Sequence, residues 1–407
     1  MDELPFGDSD LELAHAAIED ATSADVAFCK FLTANDTGET QSHQAGLHIS
    51  KHAWPLIFDV PGVKGSNMDR LWEVCWNGGS VTQSRAIYYG QGTRNEYRMT
   101  RLGPEFRGPE HTGDLLVVTR RLGSERLNAW VLEDEGSVEE FLGAFALSPE
   151  NTNQVLDVRR SRPRASALPG PTPEDRARLI AEFVEGLPEG VFPSTEEVSA
   201  AARAIDLRLR PSMDPAREPD VAIKRWAELE YVIFRALEEG VHGDHVAAGF
   251  ESVEEFVGLA NTILNRRKSR AGHSLENHLA AIFTAAAIPF TAQPRTEGRR
   301  KPDFIFPSES QYHDDEWPDS RLVFLAAKTT CKDRWRQILN EADRIPHKHL
   351  FTLQQGISGA QLDEMASAGV TLVVPADNKS TFPKAHRDWI LTLKEFLDLA
   401  AEVTTVP

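Results

Sequence analysis

At 407 residues, with 41% hydrophobic and 26% charged side chains, the chain is long enough for two hydrophobic cores and too apolar for a disordered polymer. A formal net charge of −18 excludes a uniformly basic nucleic-acid binder, although a basic footprint can sit on an acidic body. Cys29, Cys75 and Cys331 are the only cysteines and show no CxxC spacing, which excludes a disulfide framework or a cysteine zinc site and suits a reducing compartment.

The acidic start "MDELPFGDSD" precedes no apolar run of secretory length, and the apolar stretch from Leu279 to Phe290 is too short to span a bilayer. A cytoplasmic protein with no membrane partner is expected. The first 150 residues carry short extended pieces between turns: "GLHIS", "PLIFDV", "RAIYYG", "NEYRMTRL", "DLLVVTRRL" and "LNAWVLE". Short runs at intervals of roughly ten residues predict a mostly-β barrel or sandwich. From Arg159 to Thr172 the text becomes "RRSRPRASALPGPT", a basic, proline-rich linker signal. The expected division is residues 1–158, a linker over 159–174, and residues 175–407.

Beyond the linker the period becomes helical. Ser194 with Glu197 and Ser252 with Glu255 fit the capping box, in which the serine oxygen takes a backbone N–H and the glutamate reaches back to the cap. Helices are predicted near 195–206, 221–239, 252–265 and 273–286. Strands and helices then alternate: strands near 288–293, "DFIFP" and "RLVFLAAK", a helix near 332–344, strand "HLFTL", a helix near 358–368, strand "VTLVVP" and a last helix from about 387. That order predicts an α/β domain, a mixed sheet flanked by helices.

Asp303 in "RKPDFIFP" and Lys328 at the end of "FLAAK" carry the chemistry. If their strands are neighbours, carboxylate and ammonium converge at one edge of the sheet. A carboxylate there can hold Mg²⁺, a hard cation that takes oxygen ligands. A lysine beside it can act on the attacking water and on phosphoryl charge, because its pKa responds to burial and neighbours whereas arginine stays protonated. Phosphodiester hydrolysis is the implied reaction. The alternative is a plain ion pair across two strands, since a PD followed by a distant lysine also arises by chance.

The blocks "SRAGHSLENHL", "TEGRRKPDFIFPS" and "KTTCKDRWRQILNEAD", together with "TANDTGETQSHQAGL" and "RAIYYGQGTRNEYRMTR", resemble in order those of the EcoRII-like Type IIE restriction endonucleases. The resemblance implies a B3-like pseudobarrel that binds effector DNA, followed by a restriction-endonuclease-like PD-(D/E)xK domain. It implies a Mg²⁺-dependent, site-specific nuclease for double-stranded DNA at a CCWGG-like site, stimulated by a second site bound at the N-terminal domain. It also implies a homodimer through the nuclease domains, each active site cutting one strand. The acid expected two residues before the lysine is here Ala326; the relatives move it thirteen residues beyond the lysine, into the following helix, to the position of Glu341. On this reading Asp303 and Glu341 hold Mg²⁺, Lys328 acts on water, and Glu276 is a further candidate carboxylate whose alternative is a solvated helix charge. A structure-selective repair or junction nuclease, and a DNA-binding regulator with a decayed nuclease, are the rival readings.

Recognition residues follow. Lys332 and Arg334 can donate to guanine O6 and N7, and Asp333 can accept from cytosine N4; the resemblance assigns this tripeptide to C:G pairs, while alternating charges at a helix start also simply face water. Arg266, Lys268 and Arg270, with Arg267, are basic residues suited to phosphates. Trp226 stands where the resemblance places the pocket for an extruded base, with ordinary helix packing as its alternative. In the first half, Arg85 to Arg101 holds four arginines with Tyr88, Tyr89 and Tyr97 interleaved, a basic aromatic ribbon suited to a major groove. His43, Arg94, Glu96, Tyr97 and Arg98 are the effector-DNA candidates by resemblance; Gly92, Tyr97 and His48 depart from the family's pattern.

Overall fold

The computed structural model describes residues 8–39, 46–103, 106, 108–156, 172–188 and 190–404. His43 and most of the predicted linker lie outside the described residues. Two units cluster by contact. One is Met1–Val158 with Gln354–Glu364 and Ser380–Arg387, and the other is Arg159–Leu353 with Met365–Lys379 and Asp388–Pro407.

In the first unit, helix α1 (Asp8–Ser23) leads into β1 (Val26–Phe31), β2 (Leu47–Ile49), β3 (Met68–Trp76), β4 (Ser80–Tyr89), β5 (Glu96–Thr100), β6 (Leu115–Arg120), β7 (Arg126–Leu132), helix α2 (Glu135–Ala144) and β8 (Gln154–Leu156). The eight strands form one sheet in the order β2-β5-β4-β3-β7-β6-β1-β8. "PLIFDV", read above as a strand, instead begins inside a 3-10 helix, Lys51–Leu56, with Pro55 within it. A proline has no N–H for a ladder, so the segment turns. This helix packs on β5 towards one end of the strand order and on β8, β1 and β6 at the other, so the sheet curls around it. Trp72, Trp76, Tyr88, Phe28 and Leu116 fill the core.

In the second unit, helices α3 (Pro173–Glu185), α4 (Thr195–Leu209), α5 (Pro219–Ala248) and α6 (Val253–Ala285) precede β9 (Thr291–Ala292), β10 (Phe304–Phe306), a short α7 (Glu309–Tyr312), β11 (Val323–Ala327) and β12 (Lys348–Phe351). Next in the chain comes α8 (Gly359–Ser367), whose residues up to Glu364 group with the first unit, and then β13 (Val370–Val374), β14 (Leu391–Thr392) and α9 (Leu393–Thr404) of the second. The sheet order is β14-β13-β12-β11-β10-β9. β11 to β14 are parallel, and β9 and β10 run antiparallel to their neighbours. β11 and β12 are buried along their whole length, as parallel strands covered on both faces must be. Phe283 of α6 fixes the helix layer on the sheet, its ring 5.1 Å from those of Phe304 and Phe306.

Two local expectations change. The predicted helices 252–265 and 273–286 are one helix, α6. Gly272 sits in open space on its surface, where glycine costs only about 1 kcal/mol against alanine and packing on both sides overrides it. The predicted helix 332–344 is a 3-10 helix, Arg334–Asn340, with Glu341 as its C-cap in extended backbone. Trp335 and Ile338 are its buried residues, a three-residue spacing that a 3-10 turn places on one side. Of the two predicted capping boxes, Ser194–Glu197 is complete. Ser252 caps α6 through the Glu255 N–H, but the Glu255 carboxylate turns to the N–H of Glu251 and to His245.

Candidate active site

β11 ends at Ala327, and the next N–H, that of Lys328, donates to Phe351 O at 2.9 Å, carrying the parallel ladder one step further. The Lys328 side chain thus starts where the strand stops. Asp303 stands one residue before β10, antiparallel to β11. Its Oδ2 accepts from the Ala327 N–H at 2.8 Å and from Lys328 Nζ at 3.1 Å. The Lys328 and Asp303 side chains are 22% and 13% exposed, so the pair is open to a ligand yet shielded enough for its charges to matter.

Glu341 and Glu276 lie close enough to feel the charges of both Asp303 and Lys328. Burial pushes the Glu341 carboxyl up to about 7, against the pull of Lys328 and with the help of Asp303. Burial also raises Glu276, opposed by the bond from Gln293 and reinforced by Asp303. Gln293 joins the two parts: its N–H donates to Asp303 O at 2.9 Å and its amide to Glu276 Oε2 at 3.0 Å. Ala326 is fully buried in β11, so no acid is present at that strand position. The structure therefore brings Asp303, Lys328, Glu341 and Glu276 together from two strand ends, a 3-10 cap and a long helix.

The donors are carboxylate oxygens, with no sulfur and no imidazole among the four residues, a set that suits a hard divalent cation. A carboxyl held near neutrality beside a second carboxylate marks a site short of positive charge, which such a cation would supply. The three carboxylates do not form a tight group; among the described residues the three-ligand group within 4.8 Å is His111, Asp114 and Glu133 in the first unit. There His111 Nδ1 lies 2.9 Å from Asp114 Oδ2, and the ion pair itself accounts for the closeness.

The remaining sequence candidates divide. Lys332 and Arg334 are half-buried and Asp333 exposed at the start of the 3-10 helix that carries Glu341. The basic run on α6 is not a phosphate clamp as a whole. Arg270 is buried at 3% exposure beside Glu230, Arg267 is held by both Glu238 oxygens, and Arg266 lies over the Phe192 ring at 4.1 Å. The continuous helix turns positions 266, 267 and 270 towards the packed side and leaves Lys268 exposed. Trp226 is 4% exposed, donates to Asp206 Oδ2 at 3.1 Å and packs near His278. Its ring is part of the core and has no open face for an extruded base.

In the first unit β5 alternates. Tyr97 and Met99 are buried, while Glu96, Arg98 and Thr100 are half-exposed, the period-two pattern of a strand with one face inward. Tyr97 is 3% exposed, accepts from the Gly62 N–H at 2.7 Å and packs on Tyr88, so it belongs to the core and not to a DNA-facing surface. Arg94 is exposed in the turn before β5, near the Tyr89 ring, and Arg98 lies 3.4 Å from Glu96. Sequence reasoning passed over Gln293, Arg300 and Lys348, which lie around the four candidate residues.

No helix among the described residues is long and apolar enough to cross a membrane. Residues 234–397 match the family described as EcoRII C terminal, and residues 21–154 match that described as Restriction endonuclease EcoRII, N-terminal. The Type II restriction enzyme EcoRII of Escherichia coli is 38% identical over 400 residues, 93% of each chain. The Type II restriction enzyme SsoII of Shigella sonnei is 27% identical over 156 residues, covering 36% of this chain and 49% of that one. Among solved structures, metal-depleted Ecl18kI in complex with uncleaved DNA overlaps 57% of this chain and 85% of its own at 20% identity and a TM-score of 0.44. The restriction endonuclease PspGI–substrate DNA complex overlaps 52% and 93% at 17% identity, also with a TM-score of 0.44. With both EcoRII regions matched in order and a relative alike along nearly the whole length, the chain belongs to the EcoRII family of Type II restriction endonucleases.

Proposed function

We propose that this endonuclease hydrolyses phosphodiester bonds of duplex DNA at a CCWGG-like site with Mg²⁺, using Asp303, Glu341 and Lys328, with Glu276 as an accessory carboxylate. The observation that carries the reading is the convergence of these four side chains at the end of β11. Asp303 and Glu341 would hold the cation. Bound there, Mg²⁺ would polarise the phosphoryl oxygen and acidify the attacking water. Lys328, anchored by Asp303, presents its ammonium beside the scissile phosphate, where it orients water and stabilises developing negative charge. Lys332, Asp333 and Arg334, on the segment leading to Glu341, read C:G pairs in the major groove. Lys268 contributes a phosphate contact.

The first unit serves as the effector domain. Its curled eight-stranded sheet supports a B3-like pseudobarrel, with Arg94 exposed in the turn before β5 and the Arg98–Glu96 pair on the face of β5 opposite Tyr97 as the DNA-contacting groups. A second DNA copy bound there stimulates cutting, and a homodimer through the nuclease domains supplies one active site for each strand. Intact Asp303, Lys328 and Glu341 argue against a decayed regulator. Digestion of plasmid DNA of known sequence in Mg²⁺, with the ends mapped, tests the reading: one short repeated cut position supports it, and scattered ends favour a structure-selective nuclease.

A further inference from the structure

Glu341 does not reach the active site by virtue of a helix. It follows a 3-10 helix, in extended backbone, and the next residue, Ala342, has φ of +52°, a left-handed conformation that costs an ordinary residue roughly 1 kcal/mol or more. A turn of this kind persists only when its surroundings hold it. Here they do so through the backbone. Arg300 donates to Asn340 O, the Asp343 N–H donates to Glu297 Oε2 at 3.2 Å, and the Tyr312 hydroxyl fixes the other Glu297 oxygen. At the centre is Lys348, the first residue of β12 and only 3% exposed. Its Nζ donates to Glu341 O and, at 2.7 Å, to Ala342 O.

A lysine at this position needs a reason. β12 is a buried parallel strand, where an apolar side chain would pack without the desolvation cost of an ammonium. Burial in fact lowers the Lys348 ammonium to about 8, against the pull of Asp343, Glu341 and Glu297. Its main-chain N–H is already used by Gly369 O at 2.8 Å, so the side chain is not needed to complete the sheet. Its donors go to two consecutive carbonyls, one of them the carbonyl of Glu341. An ammonium on a flexible stem can reach both, whereas the planar fork of arginine suits a carboxylate.

We propose that Lys348 is a positioning residue for the second acid: its buried ammonium clamps the carbonyls of Glu341 and Ala342 and thereby aims the Glu341 carboxylate at the cation position beside Asp303. This rests on the reading of Asp303 and Glu341 given above. On this proposal Lys348 works through the Glu341 and Ala342 carbonyls and not by contact with DNA or cation. It acts as outer partners of metal ligands do, whose loss typically costs 10–100-fold in metal affinity or activity.

The test is a double-mutant cycle on Ca²⁺ affinity, measured by calorimetry on the full chain bound to a cognate duplex, with thermal melting as a check on folding. Lys348→Met keeps the apolar stem and removes the donors. It should weaken Ca²⁺ binding about 10–100-fold in the native background and cause no further loss in Glu341→Gln, because it acts through Glu341. Native-like Ca²⁺ affinity in Lys348→Met overturns the proposal. So does an equal loss in both backgrounds, which would make Lys348 a general support of the fold. If Glu341→Gln itself binds Ca²⁺ like the native chain, the assignment of Glu341 fails first, and the clamp with it. Should Lys348→Met not fold, Lys348→Gln, which keeps two N–H donors without the charge, enters the same cycle; any loss it causes in the native background should vanish in Glu341→Gln, and a loss of equal size in both backgrounds would overturn the proposal.

Discussion

Replacing Glu341 by glutamine should stabilise the metal-free protein at alkaline pH while abolishing cleavage. The Glu341 carboxyl is raised from 4.5 to about 7, mainly by burial. The folded state therefore keeps a proton that the unfolded state releases between these values, and stability falls as pH rises through that window. Below about pH 4.5 both states are protonated and the penalty vanishes; above about pH 7 it is fully present. A shift of about 2.5 units corresponds to roughly 3 kcal/mol at 1.36 kcal/mol per unit, and partial exposure of the side chain reduces this to about 1–2 kcal/mol. For a unit of this size 1 kcal/mol moves Tm by about 2–4 °C. Thermal unfolding in EDTA should therefore show Glu341→Gln melting about 2–8 °C above the native chain at pH 8, with little difference at pH 5. An equal gap at both pH values, or a less stable variant at pH 8, would refute the burial of this carboxyl beside Asp303.

Alanine at Asp303 or Lys328 should remove cleavage by orders of magnitude while leaving the circular dichroism spectrum and sedimentation unchanged, because both side chains lie at strand ends outside the core; residual cutting within tenfold of native would displace the residue from the chemistry. Arg334→Ala and Lys332→Ala should each lose ~1–3 kcal/mol of discrimination at a C:G pair in Ca²⁺ gel shifts, whereas Lys328→Ala should keep cognate preference; the reverse pattern would undo the division between reading and cutting. A fragment beginning near residue 175 should cut single-site DNA faster than the full chain if second-site stimulation works by lifting a restraint that the first unit imposes, and equal rates would show that it does not.

The sequence made the candidate catalytic centre legible where chemistry and strand pattern coincide. Asp303 before "FIF" and Lys328 after "VFLAA" are each adjacent to a short apolar run, and neighbouring strands of one sheet necessarily bring such ends near each other. Glu341 was named from the spacing that the family resemblance supplies, and the helix expected to carry it is a 3-10 segment, since charges spaced every few residues suit either helix. Faces were harder to read than elements. Arg270 and Trp226 look like DNA contacts as residue types, but which side of α5 and α6 is covered depends on helices that pack only in three dimensions. Tyr97 misled for a related reason: in an aromatic, basic ribbon, period-two alternation decides inside from outside, and its phase was not visible until β5 was paired. Lys348 was illegible because nothing in "HKHLF" says that a carbonyl pair waits for its ammonium.

The most direct test of the central claim is to incubate the purified chain with Mg²⁺ and DNA of known sequence and to map every new end at nucleotide resolution, beside Asp303→Ala as control. The account predicts double-strand breaks at one short repeated CCWGG-like position and none with the variant. Ends scattered without a shared sequence, or equal cutting by Asp303→Ala, would contradict it.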